Sequence, residues 1–120
     1  MPANSQTNRE ILETLFNGDT FKTPEVEYQY RSDNFTAEIP QTGELFESRE
    51  ALRDMQKDFD QPPALSLKRI TGEGDTWVVE AIQTYEDKGD FHVCVIVEFA
   101  DGKIAKETRY YGAPLTTDRS

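Results

Sequence analysis

Hydrophobic and polar residues alternate most regularly between Phe91 and Ala113. Phe91, Val93, Val95, Val97 and Phe99 stand against His92, Cys94, Ile96 and Glu98. Beyond Asp101-Gly102, Ala105, Glu107, Arg109 and Tyr111 stand against Ile104, Lys106, Thr108 and Tyr110. Period-two alternation on both sides of an Asp-Gly pair predicts a β-hairpin, because that pair accepts the positive φ angles of a two-residue turn. Ala100 then pairs with Lys103, and counting outward sets Cys94 opposite Arg109 and His92 opposite Tyr111. That register gathers His92, Glu98, Glu107, Arg109 and Tyr111 on one face. A three-residue loop would slip it by one and send the partner rows to opposite faces.

Upstream, Ile11, Leu12, Leu15 and Phe16 recur at helical spacing from about Ser5 to the helix-ending Asn17-Gly18. Thr23-Pro24-Glu25 offers a cap, a first-turn proline and an early acid for a second helical piece to about Arg31. Phe35 to Ile39 alternates as a half-buried strand stopped or edged by Pro40, with a short return through Phe46. Ser48 caps a helix whose Ala51, Leu52, Met55 and Phe59 form one apolar stripe, stopped by Pro62-Pro63. Leu65, Leu67 and Arg69 alternate with Ser66, Lys68 and Ile70 before a turn at Gly72 to Asp75. Trp77 to Tyr85 is another long strand, with Trp77, Val79, Ala81, Gln83 and Tyr85 on one row and Val78, Glu80, Ile82 and Thr84 on the other. Helices first and then an antiparallel meander give an α+β class, with helices on one face of a curved sheet.

At 120 residues the chain is expected to form one domain over its whole length, with residues 1–5 frayed and 115–120 a short tail. A net charge of -10 argues against a nucleic-acid partner or an anionic membrane, because both require a basic surface. The sequence lacks an apolar run of the ~18 residues that a span needs, and its polar N-terminus predicts a cytoplasmic address. Cys94, the single cysteine, lies among Val and Ile and reads as a small buried hydrophobe rather than a catalytic thiol. One His, one Cys and scattered acids give no metal cluster. With no glycine-rich phosphate cradle or nucleophile elbow either, a protein without cofactors is expected.

Four stretches in order, Ile39 to Glu44, Ser48 to Arg53, Gly72 to Glu80, and Glu98 to Ile104 continuing through Glu107-Thr108-Arg109-Tyr110-Tyr111, closely resemble the SnoaL-like branch of the nuclear transport factor 2-like superfamily. The resemblance covers roughly residues 25–114. It implies a cone-shaped α+β fold in which a bent antiparallel sheet wraps helices around a pocket, usually in a homodimer, and the dimer is expected to join through the outer sheet face. It also implies a function drawn from cyclases, isomerases, hydrolases and binding proteins. Where the cyclases carry an acid-base Asp before a proline, this chain has Ala113-Pro114, and a methyl group moves no proton.

The leading expectation is therefore a binding protein for an apolar or aromatic small molecule, with Arg109, Glu38, Trp77 and Tyr85 as candidate ligand contacts. The rival is a cofactor-independent isomerase, cyclase or hydrolase in which His92 works as base with Glu107 or Tyr111. Against both stands a plainer expectation, in which Arg109 and Glu107 form an ion pair on the sheet and His92 sits at a strand end in water. The His92 row is expected to line the pocket, and the Val93 row to meet core or partner.

Overall fold

The computed structural model of the chain describes residues 7–19, 24–56, 64–85 and 89–114. Its elements are α1 (Asn8–Leu15), β1 (Gly18–Asp19), α2 (Pro24–Tyr30), β2 (Arg31–Ile39), β3 (Glu44–Phe46), α3 (Arg49–Gln56), β4 (Ala64–Glu73), β5 (Thr76–Tyr85), β6 (Gly89–Ala100) and β7 (Lys103–Gly112). Helix α1 begins where a capping box allows it. The Thr7 side chain accepts from the Glu10 amide, and the Glu10 carboxylate accepts from the Thr7 amide. Ser48 Oγ accepts from the Ala51 amide and opens α3 in the expected manner. The expected α3 residue Phe59 and the expected α2 cap Thr23 lie outside the described residues.

The strands form one curved, open sheet in the order β1-β4-β5-β6-β7-β2-β3. Neighbouring strands are antiparallel except β2 and β7, which run parallel. That pair departs from a simple meander and brings α2 and the start of β2 beside the turn end of β7. The inner face carries Val79, Ala81, Val93, Val95, Val97, Phe99 and Ile104. They pack with Ile11, Leu12, Leu15 and Phe16 of the first helical segment and with Leu52 of α3 as one buried core. The valine row is therefore covered within the chain by its own helices. It is not available at the outer face for a partner.

The β6–β7 turn forms as its sequence predicts, with Asp101 at φ 54° and Gly102 at φ 81° and Ala100 paired with Lys103. Two residues further on the register breaks. Phe99 pairs with Ile104 but Glu98 pairs with Lys106, so Ala105 is an extra residue on β7. A single inserted residue exchanges the two faces of a strand beyond it. Cys94 consequently lies opposite Tyr110 rather than Arg109, and His92 opposite Gly112 rather than Tyr111. Glu107, Arg109 and Tyr111 join the valine row on the inner face. His92 stays on the outer one.

A second bulge at Lys68, between the pairs Leu67–Ala81 and Arg69–Glu80, puts Ile70 in the core and turns Arg69 outward. The turn that follows depends on Gly72, whose φ is 146°. A Cβ there would stand 2.5 Å from the Thr76 carbonyl oxygen.

Candidate functional site

Apolar strands leave few reasons to bury charge, yet the inner face near β7 and α2 buries a connected set. Glu27 on α2 and Arg31 at the start of β2 are one helical turn apart and meet at 3.0 Å. Arg31 also reaches Glu107 Oε2, with Nε at 2.9 Å and Nη2 at 2.8 Å. Arg53 of α3 closes on Glu27 Oε2 at 3.3 Å. On the other side, Arg109 donates from Nε and Nη2 to Glu107 Oε1 at 2.9 and 2.6 Å, and the nearby Tyr111 phenol helps to raise the Arg109 pKa. Both carboxylates thus have both oxygens engaged by guanidiniums.

Burial alone would push the Glu107 carboxyl up, but Arg31 and Arg109 together hold it below its ordinary value. Burial likewise opposes the Arg109 charge, and the attraction of Glu107 outweighs it and raises the pKa.

The polar line continues along the inner face. Gln83 Nε2 donates to Tyr85 Oη at 2.7 Å, and Tyr85 stands edge-on to Phe91 at 5.4 Å between ring centres. Burial raises the Tyr85 pKa, the Gln83 bond opposes that rise, and nearby Tyr111 adds to it. Arg109, Tyr111, Gln83 and Tyr85 therefore form a polar edge beside the apolar Ala81 and Val93. Gln41, just beyond β2, fixes one end of it. Its amide nitrogen donates to the Tyr111 carbonyl at 2.9 Å, and its amide oxygen accepts from the Tyr111 N–H. The side chain thereby continues the β2–β7 pairing past the end of the strand.

The remaining candidates lie elsewhere. Trp77 shares the inner row with Tyr85 but sits about 26 Å along the strand from it at ~3.3 Å per residue. Its indole N–H is engaged by the Gly74 carbonyl at 2.8 Å. Glu38 faces outward, 3.7 Å from Lys106. His92 is half-buried in a groove of about 440 Å³ lined by Lys68, Glu80, Cys94 and Tyr110 of the outer row and reached also by Ala81, Val93 and Tyr111 of the inner one. Burial and the Glu80 carboxylate push the Cys94 thiol up, which keeps it protonated and weakly nucleophilic. The sheet thus separates His92 from Glu107, and the two do not form an acid-base pair. The Arg109–Glu107 ion pair of the plainer expectation is present, but it is buried rather than on an exposed sheet face.

Sequence reasoning missed Glu27, Arg31, Arg53 and the Gln41 clasp. Only the four-residue spacing of Glu27 and Arg31 signals a pair in advance.

A curved sheet wrapped over N-terminal helices, with polar groups at one end of its inner face, defines a nuclear transport factor 2-like α+β protein. The SnoaL-like domain family matches residues 9–107, and the chain belongs to that family. An NTF-2 like protein of unknown function from Burkholderia xenovorans is similar at 27% identity and a TM-score of 0.70, over 78% of this chain and 73% of that one. A candidate SnoaL-like polyketide cyclase from Jannaschia sp. superposes with a TM-score of 0.72 at 16% identity, over 92% and 89% of the two chains. A protein with a ketosteroid isomerase-like fold from Catenulispora acidiphila, crystallised with trimethylamine, does so with a TM-score of 0.71 at 15% identity, over 88% of each. No curated protein gives a significant match. Among the described residues no helix is long and apolar enough to cross a membrane, and no group of His, Cys, Asp and Glu is placed to hold a metal ion.

Proposed function

We propose that the protein binds a small molecule with an apolar or aromatic body at the inner face of its sheet, where Arg109, Tyr111, Gln83 and Tyr85 anchor the polar end. One observation carries this reading. Along a face otherwise given to Val, Ala and Phe stand a guanidinium fixed by Glu107, a phenol near it, and an amide hydrogen-bonded to a second phenol. A few fixed polar groups against an apolar wall are what orient a ligand in a pocket. Family membership supports a ligand-binding or isomerase- and cyclase-type role. Binding is favoured over catalysis because, among the described residues, Glu107 is held by two guanidiniums on the face opposite His92, and Ala113 supplies no proton acceptor.

Native mass spectrometry with a panel of aromatic and terpenoid compounds tests the reading. A retained compound whose signal is lost in Tyr85→Ala is the expected result. Retention by no compound, or retention indifferent to Tyr85, overturns it.

The homodimer belongs to the same proposal. Val78, Ile82 and Ile96 are only half-buried on the outer face, and Leu45 is 59% exposed. Sedimentation equilibrium is expected to give twice the chain mass. A monomer at every concentration counts against the dimer. Cell fractionation checks the proposed cytoplasmic address.

A further inference from the structure

We infer that the polar end of the ligand is an oxyanion, in the simplest case a carboxylate, held between Arg109 and Tyr111. The inference rests on the inner-face binding site proposed above and adds the chemical class of what enters it.

The direction of the hydrogen bonds carries it. A guanidinium has five N–H donors and no acceptor. Glu107 Oε1 takes two of Arg109's donors. The other three have no hydrogen-bond acceptor among the described residues. The Arg109 side chain is 14% exposed, so these donors are neither fully buried nor freely hydrated. The Tyr111 phenol, close to Arg109, has its own O–H to donate. Tyr85 accepts from Gln83 and keeps its own as well. Each phenol of the edge therefore has a proton to donate.

A cationic ligand would be drawn to an unpaired carboxylate oxygen or to an aromatic face, and the carboxylates beside this edge are already taken. Glu107 Oε1 and Oε2 are held by Arg109 and Arg31, and Glu27 Oε1 and Oε2 by Arg31 and Arg53. The chain's overall charge of -10 sets the long-range field against anions. A preference for them must therefore come from short-range donors, of which a guanidinium beside a phenol is a strong set. The Glu107 carboxylate also fixes the Arg109 plane, so little side-chain freedom is lost on binding.

Three probes of one shape separate the possibilities: naphthoate, naphthamide and naphthylmethylamine, titrated by calorimetry into the full chain and into variants whose melting is followed in parallel. Naphthoate is expected to bind at least about tenfold more tightly than the amide, as a charge-assisted hydrogen bond implies, and the amine to bind least. Arg109→Gln should abolish the preference. Because that variant also leaves Glu107 short of a partner, Tyr111→Phe provides an independent reading. It keeps the Arg109–Glu107 pair and should weaken naphthoate severalfold while leaving the amide nearly unchanged. Raising the salt concentration should leave naphthoate affinity level or higher, because it screens the unfavourable net charge.

Equal affinity for the three probes, a preference for the amine, or a naphthoate preference that survives both variants overturns the oxyanion inference while small-molecule binding stands. Failure of these probes and of the wider aromatic and terpenoid panel overturns both.

Discussion

Two Glu–Arg pairs close to 2.6 Å in this molecule, one on each face of the sheet. Arg69 and Glu80 meet on the outer face, across the β4–β5 pairing, with side chains 68% and 39% exposed. Arg109 and Glu107 meet on the inner face, where Glu107 has no exposure at all. The distances match but the energetics do not. Water screens the outer pair and solvates either partner if the other is lost, so such a pair contributes little. Inside, each charge has exchanged its hydration for the other, and removing one strands its partner in a medium that cannot replace it. The inner pair is therefore a constraint on what the fold can tolerate, and the outer one is a surface detail.

The largest effect that would break this contrast comes from Glu107. Glu107→Gln is expected to lower stability by about 3–5 kcal/mol, the usual result of removing one member of a buried pair, because Arg31 and Arg109 both lose their counter-charge. Urea denaturation followed by tryptophan fluorescence measures it; a loss no larger than a surface substitution gives would mean that water reaches this cluster. The pH dependence has a definite sign. Arg31 and Arg109 outweigh burial and hold the Glu107 carboxyl below its unfolded value. The unfolded chain therefore binds the proton first as pH falls. The stabilisation is complete above the ordinary carboxylate range, about pH 4–5, and is lost as pH drops through the lower folded value. The parent protein should accordingly lose its urea midpoint more steeply below about pH 4 than Glu107→Gln does.

The same residues show which parts of the fold and site can be read from sequence. The hairpin turn was legible because Asp101-Gly102 carries its own conformational signal. The helices were legible from apolar spacing and the Pro24 and Ser48 signals. The faces of β7 were not, because one bulge at Ala105 inverts them and alanine marks no bulge. On β4 the comparable break leaves a trace, since the core residues Leu65, Leu67 and Ile70 change spacing from two to three. On β7 the inward residues after Ile104 are Glu107, Arg109 and Tyr111, and polarity disguises their burial as exposure. The cluster itself depends on the parallel β2–β7 pairing, a contact between distant parts of the chain that no local pattern encodes. For this reason His92 and Glu107 looked like partners in sequence while the folded sheet holds them apart.

Gln41 offers a smaller effect that sharpens the comparison, because it acts from the rim where the two faces meet. Its side-chain amide exchanges two hydrogen bonds with the Tyr111 backbone, in an exposed setting where water can substitute. Gln41→Ala should cost about 1 kcal/mol, the net value of ordinary hydrogen bonds. Its more informative consequence is local. Hydrogen exchange at the Tyr111 amide should speed up while the Val95 amide, deep in the sheet, keeps its protection. Equal acceleration at both would mean that Gln41 supports the whole fold and not the placement of Tyr111.

The smallest effect belongs to the outer pair. Arg69 hydrogen-bonds Glu80 and lowers its carboxyl pKa, so the interaction is real, but solvent is available to both groups. Arg69→Ala is expected to leave the urea midpoint unchanged within measurement error at neutral pH. The acid limb should behave the same way, because a depressed but exposed carboxylate loses little when water takes the place of its partner. One structural reason could defeat this expectation. Arg69 immediately follows the Lys68 bulge that turns Ile70 into the core, and its ion pair could help hold that register. Arg69→Ala and Glu80→Gln separate the alternatives when combined. If the pair only decorates the surface, the double variant and both single ones melt together with the parent; if it secures the bulge, both single variants lose stability by the same amount and the double loses no more than either, the non-additivity expected of two side chains acting as one contact.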